Sequence, residues 1–309
     1  MEKTRCCVCH DFFAPADVKW LGGRSFCTRH HELALEATET NWSRAGLIET
    51  ALVVGFIGLV SLVFGSEALP TSEAMGLALA LVPAGLFLLF VYRQDRIEPE
   101  PVHMVLGIFA LGILLGHGLI DPIAESLMED GWRHRSTLSA WVSAIGIGGA
   151  LSTFAAYLAV RYTVYLTDEF DEPVDGIVYA TAASLGLATA SNMDFVAHHE
   201  GVLPVAGATL MASTTLIHVA SGVVLGYGMG RCRFDPDEGQ RVLAAMVLAS
   251  AVLHGVLHEL VMFAGTMRGD FEPMLAFAIV AVLAAAVLAG SHRITVLFAR
   301  RALEEGNVV

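Results

Sequence analysis

Apolar residues fall along this chain in long runs separated by short polar stretches. Runs of about 20 apolar residues, the length needed to cross a bilayer's hydrocarbon core, lie near 46–66, 73–92, 102–123, 138–161, 175–198, 205–230, 240–264 and 272–297. The pattern predicts an all-α bundle of eight membrane-crossing helices. The linkers GSEALPTSE, DRIEPEP and TDEFDEP concentrate acids with Gly or Pro and read as loops. Ahead of the first run stand about 45 polar, cysteine-bearing residues. They predict a separate module over 1–45, no cleavable signal peptide, and a short surface helix from Glu32 to Thr40. A membrane domain over 46–300 and a tail over 301–309 complete the expected organisation.

Composition agrees with the pattern. With 55% hydrophobic and 16% charged residues in 309, one soluble core cannot hide the apolar surface. The net charge of −13 comes from acids gathered in the loops, and no basic face suggests nucleic acid as a partner. Arginine placement orients the spans. With the N-terminus inside, Arg93, Arg96, Arg161, Arg231, Arg233, Arg241, Arg293, Arg300 and Arg301 fall on the cytosolic side, and only Arg133, Arg135 and Arg268 fall outside. The positive-inside rule then predicts that both termini are cytosolic. Gly146, Gly148, Gly149, Gly222, Gly226 and Gly228 would let helices approach closely.

The N-terminal segment carries metal-binding spacing. Cys6 and Cys9 form C-x2-C, and Cys27 with His30 forms C-x2-H, two ligand pairs that suit tetrahedral zinc. Cys7 and His31 leave the register open by one residue, and a tail with incidental cysteines is the competing interpretation. Either one predicts a reducing, cytosolic setting, where the module is expected to recruit a cytosolic protein.

Ionisable residues inside spans are functional candidates because burying them is costly. His254 and His258 are four apart, which puts both imidazoles on one helix face, with Glu259 next to them. His218 in the preceding span could complete three nitrogens on a metal and leave a position for water. Hydrogen bonding among the histidines and to carbonyls is the alternative. His117 with Asp121, and Asp194 with His198, read as polar ends near the outer interface.

Several stretches share the wording of one family. YRQDRIEPEPVHMVLGIFALG, from Tyr92 to Gly112, contains D-x-x-x-x-E-P, and FDEPVDGIVYATAASLGLATASN runs from Phe170 to Asn192. TLIHVASGVVLGYGMGR carries His218, and HGVLH carries His254. Over roughly 92–261 the chain resembles the PrsW family of intramembrane metalloproteases. That resemblance implies a catalytic cavity involving His218, His254 and Asn192, metal at the histidines, and a bacterial inner-membrane location. It also implies single-span membrane proteins such as anti-sigma factors as substrates. The family's paired glutamates fall on or beside Ser152 and Thr153, its F-x-x-x-E-N glutamate falls on Ser191, and its late aspartate is replaced by His258. A hydroxyl cannot act as a general base without one beside it. Two outcomes stay open: a scaffold that has lost hydrolysis and recognises membrane segments as a sensor or binding protein, or a metal site rebuilt from His218, His254 and His258. Nucleophilic catalysis by Ser152, Thr153 or Ser191 beside His218 is a weaker third. A transporter would want polar residues along a continuous path, whereas here they gather in the outer half.

Overall fold

The structure, a computed structural model, describes residues 3–6, 9, 11–21, 24–32, 42–64, 73–94, 100–128, 136–198, 203–235 and 237–266, with isolated helical positions between 275 and 290. The expected eighth span, the tail over 301–309, Cys7, most of the Glu32–Thr40 helix and the arginines at 96, 133, 135, 268, 293, 300 and 301 lie outside the described residues.

The chain begins with two small antiparallel hairpins. β1 (Thr4–Arg5) pairs with β2 (Phe12–Phe13), and β3 (Val18–Leu21) pairs with β4 (Arg24–Cys27). A helical turn over 28–32 follows, and Phe26 fills the interior between these pieces.

Helices then dominate. They are α1 (Trp42–Phe64), α2 (Glu73–Gln94), α3 (Val102–Leu115), α4 (Asp121–Met128), α5 (Thr137–Ser143), α6 (Ala150–Arg161), α7 (Pro173–His198), α8 (Pro204–Phe234) and α9 (Gly239–Thr266). α3 runs into α4 through a π-helical turn, Gly116–Ile120, and α5 into α6 through another, Ala144–Gly149. Four helical stretches among the described residues are long and apolar enough to cross a membrane: Val102–Ala124, Thr137–Arg161, Pro204–Phe234 and Gly239–Phe263. These coincide with four of the expected spans to within a few residues.

α7 sits at the centre. Every residue from Val178 to Ala190 is buried, and α2, α3, α6 and α8 all pack on it. Its composition explains its place: Ala, Gly, Ser and Thr give a slim surface that other helices can approach. Gly176 of α7 meets Gly226 and Gly230 of α8 so closely that a Cβ at any of the three would strike backbone. The π turn before α6 lies equally tight on α9, with Gly149 against the Ala251 carbonyl and Gly255 against Ile145. π turns often mark functional positions, and this one delivers the first turns of α6 to the polar residues of α9. Proline starts α7 and α8, where its missing N–H costs nothing.

Candidate functional site

The seam between α8 and α9 holds several of the buried polar residues of the bundle's interior. His218 and His254 are both buried, and their rings meet edge to face with centroids 4.6 Å apart. One turn further along α9, His258 is about one-third exposed, with Nδ1 3.6 Å from the carboxylate of Glu259, itself buried. The Nδ1 atoms of His254 and His258 are buried and accept or donate no hydrogen bond among the described residues. Such atoms suit a metal or a proton partner. The imidazoles nonetheless do not gather as tightly as metal ligands do. Among the described residues, the one group of three or more Cys, His or carboxylate ligand atoms lying within 4.8 Å of one another is Cys6, Cys9, Cys27 and His30.

Toward the other end of the seam, α6 contributes Thr153, which is buried and lies 3.2 Å from the hydroxyl of Ser250 on α9. The Ser250 hydroxyl donates to the carbonyl of Ser221 on α8 at 2.8 Å. A hydroxyl has one proton, so with its own given to Ser221, Ser250 accepts the hydrogen bond that Thr153 donates. This chain joins three helices and ends on a backbone carbonyl. It contains no group able to take a proton at neutral pH. Ser152 is half-buried beside it.

Asn192, on α7, anchors the far side. Its amide donates to the Met211 carbonyl at 3.1 Å and to the Thr215 hydroxyl at 3.2 Å, and Thr215 is three residues from His218 on α8. Both amide donors are thus spent on tying α7 to α8. Ser191, its neighbour, is half-buried. The interior therefore brings together His218, His254, Thr153 and Ser250, with the more exposed His258 one turn along α9 and Asn192 joined to α8 at Thr215.

A second polar site was missed by reasoning on spans. Glu100, just ahead of α3, is buried and accepts a hydrogen bond from the Tyr179 hydroxyl of α7. It also lies in hydrogen-bonding contact with Asp175, which is 1% exposed. The Asp175 carboxylate accepts the backbone N–H groups of Asp171 and Glu172 at 2.8 and 2.6 Å, closing the FDEP turn into α7. Burial is the main cause that pushes the Glu100 carboxyl above the ordinary glutamate range, and the nearby acids Asp171 and Glu169 push the same way. The signal was present in the sequence: Glu100 closes the D-x-x-x-x-E-P motif, and Asp175 and Tyr179 are four apart in DGIVY.

At the N-terminus, Cys6 and Cys27 are buried. His30 Nδ1 lies 3.6 Å from Cys6 Sγ and 3.3 Å from Cys27 Sγ. Tetrahedral zinc with its usual bond lengths separates ligand atoms by about 3.5–3.8 Å, so these four residues fit that ion. The backbone N–H of Cys27 donates to Cys6 Sγ at 3.4 Å, the kind of outer contact that steadies a thiolate. The remaining polar pairs are peripheral. His198 meets Asp194 at 2.9 Å and His117 lies 3.9 Å from Asp121, with more than half of each imidazole exposed.

A family model described as PrsW family intramembrane metalloprotease matches residues 100–289. Similar proteins include the "Protease PrsW" of Geobacillus kaustophilus, 32% identical over 176 residues, which are 57% of this chain and 75% of that protein. The "Protease PrsW" of Bacillus subtilis is 30% identical over 182 residues, 57% and 80% of the two chains. That of Clostridioides difficile is 24% identical over 187 residues, 60% and 78%. No solved structure matches. The hairpin module with its Cys/His cluster lies ahead of the matched region.

Proposed function

Because the chain belongs to the PrsW family of intramembrane metalloproteases, we propose that its α7–α8–α9 seam recognises membrane-spanning protein segments and holds them without cutting them. The observation that carries this reading is the fate of Thr153. It stands where the family's second glutamate falls, and its hydroxyl proton is committed to Ser250 and through it to the Ser221 carbonyl. Hydrolysis needs a base or metal-activated water at that place, and the hydroxyl chain supplies neither. His218, His254 and Asn192 keep the cavity polar and give an unwound or polar stretch of a guest helix something to bond to.

The bundle crosses a bacterial inner membrane eight times with both termini cytosolic. Support for further crossings comes from α1, α2 and α7, with 23, 22 and 26 residues. At 1.5 Å per residue each reaches the roughly 30 Å of a hydrocarbon core. The N-terminal module over 1–45 holds structural zinc through Cys6, Cys9, Cys27 and His30 and recruits a cytosolic protein. Zinc there supplies folding energy to a piece too small to have much of a core.

A photo-crosslinking residue at Ser191, with co-expressed single-span membrane proteins as bait, tests the reading. The expected result is an adduct to an intact partner. An adduct to a shortened partner rejects holding without cutting, and no adduct rejects recognition.

One observation favours a second reading, a metal site rebuilt from His218, His254 and His258. The Glu259 carboxylate beside His258 Nδ1 is placed as outer partners of metal-bound histidines are. Metal content separates the two. Holding without chemistry predicts one zinc per chain, lost on Cys6→Ser plus Cys9→Ser. A rebuilt site predicts a second zinc that survives that change and is lost on His254→Ala.

A further inference from the structure

One end of the bundle carries two arginines that the seam does not use. Arg161 is the last residue of the span Thr137–Arg161, and Arg233 lies one residue before the end of the span Pro204–Phe234. Both guanidiniums are directed at a single aromatic ring: the carbon of Arg161 lies 4.5 Å and that of Arg233 5.7 Å from the centre of Tyr165. The ring is itself fixed. Tyr165 is 6% exposed, packs on Phe170 at 5.0 Å, and has the Cys232 thiol within hydrogen-bond reach of its hydroxyl.

Among the described residues neither arginine forms a salt bridge, although the loop beside them carries Asp168, Glu169, Asp171 and Glu172. The contrast with Arg231, two positions away, is direct, because that residue is paired with Asp235. Arg233 makes only a long bond to the Thr167 carbonyl, 3.4 Å. Two positive charges held on one ring repel each other, and cation–π attraction offsets only part of that. An external anion would neutralise both.

The surroundings say what kind of anion. Tyr162, Leu166 and Phe234 stand next to the arginines and are 81%, 69% and 41% exposed. An exposed apolar rim at the very end of two membrane spans lies at headgroup depth, where aromatic and basic residues anchor to lipid. We propose that Arg161 and Arg233 on the Tyr165 platform bind the phosphate of an anionic phospholipid headgroup, with Tyr162, Leu166 and Phe234 against its glycerol and first acyl carbons. Arginine suits this task because its planar fork meets phosphate oxygens two at a time. The inference needs only the two spans that end there, and stands whether or not the seam cuts.

Native mass spectrometry of the detergent-solubilised full chain tests it, with phosphatidylglycerol and phosphatidylcholine of identical acyl chains titrated separately. Phosphatidylglycerol should bind more tightly, by about fivefold for each arginine engaged. The preference should fall stepwise in Arg161→Gln and in the double variant Arg161→Gln, Arg233→Gln, and persist in Arg241→Gln, a change away from the ring. Equal binding of the two lipids to the unmodified chain overturns the proposal with no variant needed. So does an undiminished preference in the double variant. Inorganic phosphate displacing phosphatidylglycerol at equal concentration would assign the site to a soluble phosphate and overturn the lipid.

Discussion

Two buried polar sites lie along α7, one at its first turns and one past its middle, and they are built from opposite materials. At the first turns two carboxyl groups, Glu100 and Asp175, are sealed from solvent and fully engaged by Tyr179 and by two backbone N–H groups. Deeper in, where Thr153, Asn192, His218 and His254 lie, the polar groups are mainly hydroxyls, an amide and imidazoles, with Glu259 beside the more peripheral His258. The acids of the first site hold helices together, whereas Thr153 in the second is bonded to the hydroxyl of Ser250 and the Glu259 carboxylate lies beside His258 instead. The contrast separates the two tasks that charged residues can have in a membrane bundle, shaping the fold and doing chemistry.

The first site should therefore be the more sensitive one to truncation. Asp175→Leu takes the side-chain acceptor away from the backbone N–H groups of Asp171 and Glu172 and the hydrogen-bonding contact away from Glu100, and should cost about 2 kcal/mol, read as a loss of thermal stability in detergent. An unchanged midpoint would break the comparison, since the acid would then not be structural. Tyr179→Phe removes one hydrogen bond to a carboxyl group and should cost about 1.5 kcal/mol in the same measurement.

The lock also predicts a pH dependence. Glu100 has a carboxyl raised above its ordinary range mainly by burial. A raised folded value means that the stabilisation is complete below the unfolded value and is lost as pH rises through the folded one. Stability should thus decline as pH rises above the ordinary glutamate range, and Glu100→Gln should flatten that slope. A slope of opposite sign would show that the carboxyl is held charged. Smallest of all should be Thr153→Val, about 0.6 kcal/mol, the usual size of a hydrogen bond between membrane helices. A loss several times larger would mean that the hydroxyl chain carries more of the fold than the comparison allows.

Much of this was legible in the sequence, for reasons that differ by region. Long apolar runs marked α3, the α5–α6 pair, α8 and α9, the first two and α9 exposing much of their apolar surface and α8 packing its own inside the bundle. α7 was legible as an apolar run near 175–198 and through its wording, and being surrounded by protein it is free to carry Thr181, Ser184 and Thr189. The grouping of Cys6, Cys9, Cys27 and His30 was legible because two close ligand pairs on hairpins are the spacing a tetrahedral metal site needs, and the four do come together. The i, i+4 rule placed His254 and His258 on one face, but periodicity on one helix cannot say that His218 would meet His254 edge to face while His258 sits nearer the periphery. Nor could it reveal Ser250 or Glu100 as partners, because contacts between helices far apart in sequence depend on where glycines let backbones touch.

The contrast between the two sites comes down to whether the hydroxyl-lined seam can break a peptide bond. The direct measurement is cleavage of a co-expressed single-span membrane protein by the unmodified chain and by His218→Ala, with fragments quantified by immunoblot. Equal amounts of intact protein and no fragment attributable to the unmodified chain are the predicted result. A fragment produced by the unmodified chain and abolished by His218→Ala would contradict it.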